Sequence, residues 1–212
     1  MNDETVERVV AAAAAALERA GIPYVLIGGI ASSVHGRPRA TDDIDLLVDP
    51  RDADRALEAL GSAGFETEET DPHWIYKATK DGQTVDVMFN IKGDVHVDEE
   101  MLARARPTDF AGQEVQVAAP EDVIVIKALA HDEPSFRHWH DALAIIAAQE
   151  LDWEYLLRRA RKGAHRILSL LVYAQSNDLI VPEQTIRSLF ESIYGPDGTD
   201  GIETRSRSPI AR

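Results

Sequence analysis

Cysteine is absent from the 212-residue chain. That excludes disulfides, thiolate metal sites and cysteine nucleophiles, and it leaves no support for a secreted fold held by cross-links. Long apolar runs are missing too. The longest, Val9 to Leu17, is mostly alanine, far short of the roughly 20 residues that a membrane-spanning helix needs. Acidic Asp3, Glu4 and Glu7 precede it where a secretory signal carries positive charge, so it reads as the first helix of the mature protein, with a cytoplasmic location expected and no membrane partner.

Positive charge is the third shortage. Lys and Arg number 22 against 37 Asp and Glu, a formal net charge of −15, which argues against broad, sequence-independent nucleic-acid binding. The imbalance is uneven. Residues 1–100 hold 9 basic against 21 acidic side chains and the remainder 13 against 16, so the acidic excess sits in the first half. Apolar residues at 44% and charged residues at 28% are ordinary for a globular chain.

Alanine-rich Thr5–Ala20 reads as a helix stopped by Gly21-Ile22-Pro23, and Tyr24–Ile27 as a buried strand meeting Gly28-Gly29. Ile30–His35 is a short helix and Gly36–Arg39 a loop. Ile44–Val48 is a second strand, and the period of two puts Asp43 and Asp45 on one side of its start. Asp52–Ala63 is expected as a helix. Trp74–Thr79 and Thr84–Asn90 form strands around an Asp81-Gly82 hairpin turn. A strand pair at 108–110 and 114–117 precedes helical patterns from Pro120 through Tyr194. The expected organisation is therefore an α/β (α+β) lobe with a mixed sheet over 1–118, a helical lobe over 119–194 and a disordered tail over 195–212.

Gly28-Gly29 and Asp43-Ile44-Asp45 carry the chemistry. Two carboxylates at i and i+2 on a strand can share divalent cations, and hard oxygen ligands suit Mg2+ or Mn2+. The glycine pair lets backbone N–H groups approach a triphosphate, although a tight strand-to-helix turn would need the same residues. Arg37 and Arg39 lie in the intervening loop, where they can neutralise phosphate or orient an acceptor. Asp86 stands alone in the apolar strand Thr84–Met88; a metal would compensate it, and so would an arginine. His138 and His140 invite a zinc reading, but residues at i and i+2 face apart on a helix. Arg158, Arg159, Arg161, Lys162 and Arg166 are the densest basic cluster, either complementing a helix dipole or contacting a polyanionic acceptor.

Gly28-Gly29, Thr41-Asp42-Asp43-Ile44-Asp45 and Asp86 together resemble the polymerase-β-type nucleotidyltransferase superfamily, most closely the AbiEii-type toxin nucleotidyltransferases and uncharacterised bacterial relatives. The resemblance implies a nucleotidyltransferase fold and two-metal transfer of a nucleoside monophosphate from an NTP to a hydroxyl, with pyrophosphate released. It implies Asp43, Asp45 and Asp86 as metal-binding catalytic acids, and Gly28, Gly29, Ser32, Ser33 and Arg39 around the phosphates. Lys127 and Asp141 match the nucleotide-binding lysine and aspartate of the toxin type, but Arg137 and His138 depart from its pattern. The acceptor implied is tRNA or another macromolecule such as a protein, with a cognate antitoxin as a further partner. A small-molecule, antibiotic-type transferase and a non-catalytic partner protein retaining the fold are the alternatives.

Overall fold

The structure, a computed structural model, describes residues 3–36, 38, 41, 43–93, 95–131 and 136–195. Arg37, Arg39, Asp42 and the expected tail beyond Gly195 lie outside the described residues. Helix α1 (Asp3–Arg19) leads into strand β1 (Tyr24–Leu26), helix α2 (Gly28–His35) and strand β2 (Asp43–Val48). Helix α3 (Ala53–Ser62) is followed by β3 (Glu66–Asp71), β4 (Ile75–Lys80) and β5 (Gln83–Met88), then by α4 (Glu99–Arg104), β6 (Arg106–Phe110) and β7 (Gln113–Val117). From there the described chain is helical: α5 (Pro120–Ala130), α6 (Arg137–Ala148), α7 (Trp153–Arg159), α8 (Ala164–Ser176) and α9 (Glu183–Tyr194).

The seven strands form one mixed sheet in the order β3-β4-β5-β2-β1-β7-β6. The antiparallel β1–β2 pair is flanked by parallel pairings, β2 with β5 and β1 with β7. Ile44 and Leu46 share a face with Val85 and Val87, all fully buried. Tyr76 belongs to that face, and its hydroxyl donates to Asp54 on α3 at 3.0 Å, so α3 covers it together with α1. Asp43 and Asp45 point to the other side, where α2 packs on β2.

β3 and α4 carry no expectation from the sequence. β3 reads Glu-Thr-Glu-Glu-Thr-Asp, lacks any apolar alternation and is exposed over its first five residues. It is an edge strand, and the charges that hide it from pattern reading also blunt the edge against pairing with other chains. The glycine pair is not a separate turn: it forms the first turn of α2, with Ile27 as N-cap.

α5 is buried along almost its whole length, so its three buried charged residues need partners. Glu121 accepts the backbone N–H of Asp152 at 2.7 Å. Lys127 pairs with Asp141 on α6 at 2.9 Å. Asp122, 1% exposed, accepts the Tyr155 hydroxyl at 2.7 Å and faces Arg159 Nε at 2.7 Å. Burial pushes its carboxyl up to about 6, against the opposing pull of Arg159 and the Tyr155 hydrogen bond. Arg159 also bonds Asp98, at the N-cap of α4. Arg104 and Arg158 lie over the Tyr155 ring at 4.1 and 5.5 Å. This network fastens the helical half to the sheet half. Tyr155→Phe should lower stability by about 1 to 3 kcal/mol, because it strips a hydrogen bond from a buried carboxylate without removing volume. Urea denaturation measures it; a stability unchanged within error would show that Asp122 does not depend on Tyr155.

Candidate active site

The acids meet because of strand register. β2 and β5 are parallel neighbours, with Asp45 opposite Asp86 and Asp43 opposite Thr84. Adjacent strands lie roughly 4.8 Å apart, so the Asp45 and Asp86 carboxylates share one face at neighbouring positions. β4 extends the row, since Lys77 is in register with Asp86. Lys77 Nζ lies 2.6 Å from Asp86 Oδ1. Across four strands the face thus reads Asp45, Asp86, Lys77, Glu68.

Gly28 sets the other wall. Its φ of +68° is in the left-handed region that favours glycine, and a Cβ there would fall 1.7 Å from Asp45 Oδ2. The carboxylate therefore sits directly against the start of α2, where the Gly29 backbone N–H donates to it. Asp45 is pushed up to about 6, first by burial, then by the charge on Asp86, with Asp43 adding to it; Lys127 and the Gly29 N–H oppose the rise. Like charges held together out of water are the cause.

The sequence-predicted residues fall as follows. Asp43, Asp45 and Asp86 come to one sheet face beside Gly28 and Gly29. The Gly29 N–H is directed to Asp45 instead of standing open. The Ser32 and Ser33 hydroxyls donate to the carbonyls of Gly28 and Gly29 at 2.8 and 3.1 Å, bracing the first turn of α2. Lys127 and Asp141 pair with each other, 6% and 8% exposed, and the Lys127 charge reaches Asp45. Arg39 lies outside the described residues. Lys77 was missed by sequence reading, which names an arginine as the alternative partner of Asp86; the partner is this lysine.

Beside α2 opens a cavity of about 390 Å³ lined by Ser32, Pro38, Phe136, Arg137, His140 and Asp141, among others. Phe136 is 59% exposed and meets His140 edge-on at 5.8 Å. α2 is pinned at its far end, where buried His35 holds its Nε2 2.7 Å from the Ala118 carbonyl. Desolvation lowers the His35 pKa, keeping the ring neutral and the Nε2–H a donor. The basic cluster is largely engaged: Arg158 pairs with Glu100, Arg159 with Asp98 and Asp122, and Arg166 donates to the His131 carbonyl.

A divalent cation fits the donor chemistry of the row, three carboxylates of which two face each other across adjacent strands and repel. As the side chains stand, no group of three or more His, Asp or Glu among the described residues is gathered as a finished cage; Asp86 is held by Lys77 instead.

The seven-stranded mixed sheet with its covering helices is a nucleotidyltransferase fold. The chain belongs to the uncharacterised nucleotidyltransferase family, whose sequence profile matches residues 2–177, and is an enzyme of that class. Among solved structures it is similar to the antibiotic-resistance factor ANT(2'')-Ia in solution, with TM-score 0.51 and 16% identity over 84% of this chain and 95% of that one. It is similar likewise to ANT(2")-Ia in complex with adenylyl-2"-tobramycin, with TM-score 0.51 and 16% identity over 82% and 99%. An antigenic nucleotidyltransferase-like protein from Paracoccidioides brasiliensis gives TM-score 0.55 and 18% identity over 87% and 91%. Likeness at these identities is of fold. No curated protein sequence matches.

The raised Asp45 pKa has a stability consequence. The folded protein holds the Asp45 proton up to about pH 6, whereas the unfolded chain releases it near pH 4. Raising the pH between those values therefore lowers stability, and the full penalty, at most about 3 kcal/mol, is present above pH 6. Asp45→Asn removes the charge but keeps an acceptor for the Gly29 N–H. With chelator present it should melt several degrees above the parent at pH 8 and converge with it near pH 4; an equal gap at both pH values would contradict this origin.

Proposed function

We propose that the protein transfers a nucleoside monophosphate from an NTP to a hydroxyl acceptor, with release of pyrophosphate and dependence on Mg2+ or Mn2+. The observation that carries the reading is the in-register Asp45–Asp86 pair pressed against a glycine that has no room for a side chain. Asp43, Asp45 and Asp86 would hold the divalent ions, which when bound would neutralise the triphosphate and raise the acidity of the acceptor hydroxyl. Gly28 and Gly29 set the start of α2 against the Asp45 carboxylate, so phosphate charge brought to the row meets the favourable end of the helix dipole. The acceptor oxygen attacks the α-phosphorus in line, the bond to the β-phosphate oxygen breaks, and Asp86 takes the hydroxyl proton. The cavity between α2 and α6 suits the nucleoside in size, and Phe136 offers it an exposed ring.

For the acceptor, a small hydroxyl compound is the better reading. The face beyond the acids continues through Lys77 and Glu68 to an exposed acidic edge strand, a surface that repels polyanions. A second reading keeps tRNA or a protein as acceptor, in a toxin-like AbiEii-type enzyme with a cognate antitoxin. It draws support from a cavity of about 180 Å³ lined by His96, Arg158, Arg161 and Lys162, although Asp98 and Asp122 line it too. No helix among the described residues is long and apolar enough to cross a membrane, and a cytoplasmic place, where NTPs are made, fits the reading.

Purified protein supplied with each NTP, Mg2+ or Mn2+ and either total tRNA or a panel of aminated and plain polyols tests both readings. Pyrophosphate should appear only with metal, and with the small acceptors. Asp45→Asn and Asp86→Asn should each lower turnover by about a hundredfold or more. Near-normal turnover in either variant would remove the carboxylates from the mechanism, and transfer confined to tRNA would favour the toxin-like reading.

A further inference from the structure

Two lysines flank the carboxylate row, and they are built differently. Lys127 is buried and locked to Asp141 in the protein interior. Lys77 is 37% exposed, reaches Asp86 from the neighbouring strand at 2.6 Å, and has the exposed Glu68 in register on its other side. A lysine ammonium is a compact charge on a flexible stem, and this pair is only partly buried, with Lys77 more open than Asp86. Lys77 can thus neutralise Asp86 and still leave it cheaply. The need for a cation is plain from the geometry: without one, Asp86 would face Asp45 across the β2–β5 ladder with Asp43 close by.

We propose that Lys77 is a positioning residue that stands in for the divalent cation in the metal-free protein, occupying Asp86 and giving it up when metal binds. This rests on the metal-dependent reading above. The ammonium and the metal compete for one carboxylate oxygen, so Lys77 holds the row in register when empty at the expense of metal affinity. On exchange, the ammonium swings towards Glu68, over the open face that the acceptor would approach.

The test is Mn2+ binding to the full chain, by calorimetry and by the electron paramagnetic resonance of free Mn2+, for the parent, Lys77→Met and Lys77→Arg. Lys77→Met should bind Mn2+ about tenfold more tightly, since the competing charge is gone. In chelator it should melt lower than the parent, and its gain in melting temperature on adding Mn2+ should be larger. Lys77→Arg should keep the parent's affinity within about threefold, because a cation is retained. A merely structural lysine would give a Met variant that binds Mn2+ no better, or worse, and that result in a folded variant overturns the proposal alone. If the parent itself bound no Mn2+ at millimolar concentration, the metal-dependent reading would fail and this inference with it.

Discussion

Repulsion between carboxylates held at adjoining register positions is the constraint around which the sheet is organised. Asp45 and Asp86 are placed opposite each other by the parallel β2–β5 pairing, and neither can retreat, because the backbone ladder fixes both Cα positions. The surroundings answer with positive charge and donors: Lys77 on Asp86, the Gly29 N–H on Asp45 and the more distant field of buried Lys127. Gly28 must lack a side chain so that Asp45 can reach that N–H. Like charges held together out of water destabilise the arrangement as it stands, and the proposed divalent cation would relieve it.

The helical half acts on this centre from behind. α5 brings Lys127 within electrostatic reach of Asp45, while Asp141 on α6 fixes the ammonium. α6 also supplies one wall of the cavity beside α2. The Asp122–Tyr155–Arg159 cluster anchors α5 to α7 and, through Asp98, to the start of α4. The arginines that look in the sequence like a basic patch are for the most part engaged in holding these elements together.

Much of the sheet half could be read from residue order. β1, β2, β4 and β5 announce themselves by apolar runs and turn residues, and parity alone places Asp43 and Asp45 on one side. β3 could not be seen in the same way, since an exposed edge strand has no buried face to impose alternation. Lys77 was within reach. The two-residue Asp81-Gly82 turn pairs Lys80 with Gln83, and counting back along the hairpin puts Lys77 opposite Asp86. What the sequence could not supply is packing between distant helices. Lys127 and Asp141 each resemble nucleotide-binding residues, and only their meeting across α5 and α6 shows that they bind each other.

Crystals grown with Mn2+ and a non-hydrolysable NTP would reveal whether metal and triphosphate meet at the Asp45–Asp86 row. Anomalous scattering locates the manganese without reference to activity. A manganese peak beside the Asp45 and Asp86 carboxylates is expected, with phosphate density near the start of α2 and Lys77 withdrawn from Asp86. Manganese and phosphate found elsewhere, with the Lys77–Asp86 contact intact, would contradict it.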